Sequence, residues 1–346
     1  MRNNLLAGFL ILVALLALAV FGASFDAFSP GRRTLMLAHN AFPTKGQWAD
    51  RLDRALSCGT PLVIEIDLAW VTNPKTGKND CLIGVNPGSK DITGNEPTLK
   101  SFFFERVRPI VEKALQENDK QNWPLVIMYM DMRNDPPEQL EFIWKLLGEY
   151  ENWLTTAVQT NNPADKAPLD VKPLVILTQD KDNDIKEEYF YNRLPIGGKL
   201  RVFSTAKLSL PPGEGLTAQQ IAQLRSKMKP EELVKEPASN YRRWWHSSWG
   251  YIETAPMSTA GEWTPEKKAR LEALVNYGHK LGYLVGFYCV DGFDSEAGKA
   301  QGWNAEYNFG SLQKANIRWR AAAKAGVDFV TTSQYEELAK VIKSRN

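Results

Sequence analysis

The sequence is short of cysteine, short of histidine and nearly without net charge. Three cysteines in 346 residues, Cys58, Cys81 and Cys289, permit one disulfide at most and leave a thiol over. That excludes a scaffold built on disulfides. The expectation is three free, buried thiols, with a Cys58–Cys81 bridge as the alternative. Forty-two Lys and Arg stand against 40 Asp and Glu, a formal net charge of +2, so no surplus of one sign calls for a nucleic-acid partner. No linker rich in Pro or Gly divides the chain. The three histidines are His39, His246 and His279.

One long apolar run is present, from Leu5 to about Ala23 behind a single Arg. It is long for a signal-peptide core and just long enough to span a bilayer. Residues 1–23 are therefore expected to be a signal peptide, cleaved after Gly22, or a membrane anchor. Either way the remainder is expected to be exported, secreted or periplasmic, with membrane association through residues 5–23 if the segment is kept.

The rest is 43% hydrophobic and 24% charged, with 11 Trp, 11 Tyr and 15 Phe, enough for a large core. Its length fits one α/β barrel or two smaller domains. Eight apolar runs read as strands: 34–39, 61–70, 124–133, 172–180, 199–205, 241–247, 283–291 and 327–332. Amphipathic helical patterns lie between them, such as "TPEKKARLEALVNYGHKLG", which opens at Thr264 with Pro265 in the first helical position. Pro109 should bend or break the pattern in "TLKSFFFERVRPIVEKALQEN". Residues 206–240, rich in Pro and Lys, read as an excursion and not a domain. Eight alternations predict a single (β/α)8 barrel over residues 30–346, with a doubly wound sheet as the alternative.

Within "LVIEIDLAWV" (62–71), Glu65 and Asp67 interrupt an apolar strand. Residues i and i+2 of a strand share a face, roughly 7 Å apart, and two carboxylates there repel each other and resist burial. In a barrel they would lie near the C-terminal strand ends, where active sites of this fold are built. His39, Asp131, Arg133, His246 and Asp291 fall at corresponding places. Glu65, Asp67 and Asp131 together make a hard oxygen site suited to Mg²⁺ or Ca²⁺. The alternative is that Arg133 supplies the compensating charge.

Residues 34–344 resemble the phospholipase C-like phosphodiesterase superfamily, which includes glycerophosphodiester phosphodiesterases, sphingomyelinase D and phosphatidylinositol-specific phospholipase C. The likeness rests on His39 in strand 1, the helix ending "ALSCG", Glu65-Ile-Asp67 in strand 2, Asp131-Met132-Arg133 in strand 3 and the closing "AAAKAGVDFVTTSQYEELAKVI". His39-Asn40 is most similar to the branch whose motif reads His-Asn-Asp-Tyr. The resemblance implies attack on a phosphodiester or phospholipid headgroup with a divalent cation on Glu65, Asp67 and Asp131. His39 would move a proton, Arg133 would pair with the phosphate, and Asn40 would contact the metal or the phosphate. Trp70 and Trp245, with Trp244 and Trp249, would line a pocket for the organic part or else pack the barrel.

The family's second histidine, after strand 2, is absent: "CLIGVNPGS" has Val85 there. Valine carries no proton, and losing one partner of an acid–base pair lowers rates by about 10²–10⁴. His246 is the candidate substitute, and His279 is expected at the surface near a helix end. The leading expectation is an exported metal-dependent phosphodiesterase. A catalytically inactive phosphate- or sugar-binding barrel is the alternative, and a glycoside hydrolase using Glu65 with Asp131 comes third.

Overall fold

The apolar runs fold as eight parallel strands that close on themselves. They are β1 (Leu35–Ala38), β2 (Leu62–Thr72), β3 (Val126–Met132), β4 (Leu174–Thr178), β5 (Ser204–Thr205), β6 (Arg242–Ser248), β7 (Leu284–Tyr288) and β8 (Phe329–Thr332). Neighbours pair in the cyclic order β4-β3-β2-β1-β8-β7-β6-β5. The ring is completed where Phe203 bridges to Leu177, with Thr178 N–H donating to Phe203 O at 2.8 Å. The computed structural model describes residues 29–179, 184–209, 216–254, 261–288, 290–305 and 308–343. Residues 1–23 and Cys289 lie outside the described residues. Among the described residues no helix is long and apolar enough to cross a membrane.

Helices cover the outside: α1 (Arg51–Ser57), α2 (Glu105–Glu117), α3 (Pro137–Glu149), α4 (Ala218–Lys227), α5 (Pro265–Lys280), α6 (Ser295–Gln301), α7 (Leu312–Ala325) and α8 (Tyr335–Lys343). Their ends follow local chemistry. Thr264 caps α5 by accepting from Lys267 N–H, with Pro265 in the first turn, and α7 runs from the Ser311 cap to left-handed Gly326. Pro109 does not break α2. A wider π-helical turn, Lys100–Phe104, precedes α2. The Asp135 carboxylate, just ahead of α3, takes the buried Lys186 ammonium at 2.9 Å. The sequence pattern did not disclose Asn79–Ile83, which adds an antiparallel hairpin to the far end of β2. Lys199–Leu200 pairs with Ala157–Val158, leaving β5 shorter than expected.

Strand alternation divides the side chains between barrel interior and helix layer. Trp244 of β6 points inward, edge-on to Tyr129 at 5.0 Å and to Phe329 at 6.0 Å, and its Nε1–H donates to Thr178 O at 3.0 Å. Together these rings fill the barrel beneath the strand ends. Gly286 makes this possible: a Cβ there would stand 2.9 Å from Phe329 Cβ and 3.1 Å from His246 Cδ2.

Several expectations need correction. Trp245, next in sequence to Trp244, points outward against Gly278 of α5. Trp70 also points outward, tilted against Phe142 of α3 at 5.4 Å. Trp249 packs on Trp263 and Phe287. None of the three lines the pocket at the strand ends. His279 is not a free surface residue: its Nε2 lies 2.8 Å from buried Asp328, which also accepts from the backbone of Gly31 and Val285. Cys58 and Cys81 are both free and buried.

The outward placement of Trp245 is testable. A Cβ on Gly278 would come within 2.4 Å of Val285 Cγ2 and 3.0 Å of Trp245 Cε3. Overpacking outweighs the helix propensity gained, so Gly278→Ala should lose about 1–2 kcal/mol in urea unfolding. An unchanged or higher stability would contradict this packing.

Candidate functional site

A polar pocket of about 220 Å³ opens at the C-terminal strand ends, lined by His39, Glu65, Tyr129, Asp131, Arg133, Gln179, His246, Tyr288, Asp291 and Thr331. The strands bring these together by register. Asp67 of β2 stands opposite Asp131 of β3, and Glu65 opposite Tyr129. Arg133, two residues past Asp131, shares its face. One carboxylate oxygen from each of Glu65, Asp67 and Asp131 lies within 4.8 Å of the others.

Arg133 bridges two of the three carboxylates. Its Nε donates to Asp67 Oδ2 at 2.8 Å and its Nη2 to the same oxygen, while Nη1 lies 3.2 Å from Asp131 Oδ2. Burial works against the guanidinium charge, but Asp67 and Asp131 outweigh it and raise the Arg133 pKa. Glu65 has less help. Burial, then Asp67 and Asp131, push its carboxyl well above the usual range, partly offset by Arg133 and by the Asn40 backbone N–H. Glu65 Oε2 is buried with no hydrogen-bond partner in the protein. Asn40 thus contributes its main chain: it sits at a φ of 51°, and its carbonyl accepts from Arg51 and from Phe42 N–H. Its side chain is not in the pocket lining.

Of the two pocket histidines, His246 is buried and His39 half-buried. His39 ends β1, with its backbone held by Thr332 O at 3.0 Å and by Tyr335 Oη–H at 2.6 Å. Burial, then Arg51 and Arg133, bring its pKa down to about 3. His246 stacks on Trp244 at 5.0 Å, meets Tyr129 and Tyr288, and lies 3.0 Å from Thr331 Oγ1 through Nε2. Burial, then the neighbouring His39, depress it to about 3. Its Nδ1 is buried with no hydrogen-bond partner. Asp291, pushed up to about 6 by burial, is turned to the loop after β8, where Thr332 and Ser333 donate to it.

The sequence reading missed Tyr129, Gln179, Tyr288 and Thr331. Tyr129 and Thr331 had a readable signal, since each stands two positions from an inward-facing neighbour. Tyr129 Oη–H donates to Gln179 Oε1 at 2.6 Å, extending the wall beside the carboxylates. Val85 is outside the pocket, packed with Ala69, Val71, Leu82 and Ile92.

No protein-family model and no curated protein matches the chain. Among solved structures it is similar to two phosphodiesterases from Parabacteroides distasonis ATCC 8503. One is a glycerophosphoryl diester phosphodiesterase, 12% identical over 93% of this chain and 90% of that one, with a TM-score of 0.43. The other is a glycerophosphodiester phosphodiesterase, 13% identical over 92% and 99%, with a TM-score of 0.44. Plasmodium falciparum HPPK-DHPS reaches the same 0.44, at 11% identity over 91% of this chain and 49% of that one. Proteins with different names score alike, so the chemistry is read from the residues.

Two measurements check the electrostatics. Removing the half-buried Arg133 leaves three carboxylates facing one another, so Arg133→Met should lose about 1–3 kcal/mol at pH 7. The loss should shrink toward pH 4 as the carboxyls protonate; a pH-independent loss would contradict it. The histidines act in the same direction. Their folded pKa values lie below the ordinary 6.5, so the unfolded chain takes up protons first as pH falls. Their contribution is whole above pH 6.5 and is lost between pH 6.5 and 3. His246→Phe should flatten the fall of unfolding free energy between pH 6 and 4, and an unchanged slope would count against a buried neutral ring.

Proposed function

We propose that the chain is an exported, divalent-metal-dependent phosphodiesterase of the phospholipase C-like kind, acting on a glycerophosphodiester or a phospholipid headgroup. The carboxylate trio carries the reading. Once Glu65 gives up the proton that its burial favours, three carboxylates and one guanidinium sum to −2, the complement of one divalent cation. The buried, unpartnered Glu65 Oε2 is an acceptor that fits such an ion. Oxygen-only donors suit Mg²⁺ or Ca²⁺. Held by Glu65, Asp67 and Asp131, the ion would supply Lewis-acid stabilisation of the charge that grows on a phosphoryl oxygen.

The chain's own groups do the rest. Arg133 presents a planar fork at the pocket edge, suited to two phosphate oxygens, and a phosphate entering there exchanges one set of anionic partners for another. His39, kept neutral by burial, accepts a proton from the attacking oxygen. His246, on the other side of the pocket, takes the place left by Val85: protonated once the anionic phosphodiester is bound beside it, it gives that proton to the leaving oxygen. The wall of Tyr129, Gln179 and Tyr288 offers hydroxyl and amide groups to a polar headgroup. The apolar run at residues 5–23 supports export and, if retained, membrane association.

One observation favours a second reading, a catalytically inactive phosphate- or sugar-binding barrel. Arg133 already pairs with one oxygen of Asp67 and one of Asp131. A glycoside hydrolase is disfavoured, because its two carboxyls must face each other across a cleft, whereas these crowd on one side.

Calorimetric titration with Mg²⁺ and Ca²⁺ should reveal one site in the wild type that Asp67→Ala removes; identical titrations would refute the metal site. With that ion present, nitrophenyl phosphodiesters should turn over faster than alkyl diesters, because a nitrophenolate leaves without a proton. His246→Ala should lower alkyl turnover by about 10²-fold or more and largely spare aryl turnover. Absence of turnover for both classes, with metal bound, would favour the binding barrel.

A further inference from the structure

The hydrogen bonds behind His39 determine which of its nitrogens carries the proton. His39 Nδ1 lies 2.9 Å from Ser333 Oγ. That hydroxyl lies 2.9 Å from Asp291 Oδ2, and Ser333 N–H donates to Asp291 Oδ1 at 2.7 Å. Thr332 Oγ1–H donates to the same Oδ1 at 2.6 Å. An ionised carboxylate only accepts, so the single Ser333 hydroxyl proton is committed to Asp291. Ser333 Oγ then has only lone pairs to offer His39. Nδ1 must be the protonated nitrogen, and Nε2 the basic one.

We infer that Ser333, oriented by Asp291, is a positioning residue that holds His39 in the Nδ1–H tautomer and so makes Nε2 its proton-accepting atom. All three residues are fixed. Asp291 is 1% and Ser333 2% exposed, and His39 is clamped through both its backbone N–H and its carbonyl. Thr332 and the Ser333 amide fasten Asp291 so that its second oxygen faces the hydroxyl. When Nε2 takes a proton from the attacking water or hydroxyl, the imidazolium keeps its Nδ1–H on Ser333, and the Asp291 charge lies one hydroxyl further back. No proton need leave the chain of three. The catalytic part of this inference rests on the phosphodiesterase reading; the tautomer does not.

The test reads the tautomer directly, by ¹⁵N–¹H long-range correlation spectra of the imidazoles in the full chain at pH 7.5. With three histidines, loss of one signal set in His39→Gln assigns His39. The wild type should show Nδ1 protonated and Nε2 bare. In Asp291→Asn, the Ser333 amide and Thr332 hydroxyl keep the side-chain oxygen in place, so the new NH₂ faces Ser333 Oγ. The hydroxyl then turns its proton to His39, and the tautomer should switch to Nε2–H. Ser333→Ala should leave a mixture. For phosphodiester turnover, kcat should fall by about 10²–10⁴-fold in Asp291→Asn with KM nearly unchanged. Ser333→Thr, which keeps the hydroxyl, should retain the wild-type tautomer. An Nε2–H signal in the wild type, or an unchanged tautomer in both Asp291→Asn and Ser333→Ala, overturns the inference. Should Asp291→Asn fail to fold, Ser333→Ala alone decides it. The expected tautomers in a protein that turns over no phosphodiester would uphold the inference while refuting the function above.

Discussion

Everything at the mouth of this barrel depends on the repulsion between Asp67 and Asp131. The β2–β3 register sets them directly opposite each other, an arrangement that like charges on paired strands normally disfavour. Arg133 resolves it from within the same strand. Two positions beyond Asp131, it faces the same way by strand geometry alone, and its fork reaches both carboxylates. Glu65, one layer deeper, is beyond its direct reach and remains the group with the least compensation. Arg133 therefore offsets Asp67 and Asp131 more fully than it offsets Glu65.

That imbalance is sharpened by what lies beneath. Trp244, Phe329 and Tyr129 close the barrel interior below the polar layer. Water cannot solvate the pocket from that side, so each ionisable group feels a low dielectric. The same cause moves the groups in opposite directions: the histidines are driven to stay neutral, and Glu65 to hold its proton. Gly286 is the small residue that lets the aromatic floor and His246 occupy adjacent layers. Fold and site meet at that glycine, where a methyl group would disturb both.

Much of this was legible in the sequence. Eight apolar runs separated by helical patterns leave few alternatives to a closed parallel barrel, and the polar residues at the run ends identified His39, Glu65, Asp67, Asp131, Arg133 and His246, which share one site. The tryptophans went astray for a phase error. Trp70 lies one residue out of step with Glu65 and Asp67, and Trp245 one out of step with His246, so alternation sends both to the helix layer. That much the sequence does contain. Other features it does not. The Asn79–Ile83 hairpin depends on an edge left open at the end of β2. The meeting of Tyr129 with Gln179 depends on the stagger between β3 and β4, which no local pattern encodes.

The scarcity of histidine gives the last strand its importance. Both pocket imidazoles are held from β8 and the residue after it, His246 by Thr331 and His39 by Ser333. These two hydroxyls are two residues apart and therefore point to the same, inward face. Thr332 between them faces the other way and reaches Asp291 instead. The sequence Thr331-Thr332-Ser333 thus does two jobs: its odd positions hold the histidines, and its even position joins Ser333 in fastening the carboxylate that orients one of them. At the opposite end of the same strand, Asp328 ties His279 and the backbone of Gly31. A shift of β8 by one residue would release all three histidines at once, so the register of this strand is constrained by hydrogen bonds at both ends as well as by the apolar residues between them.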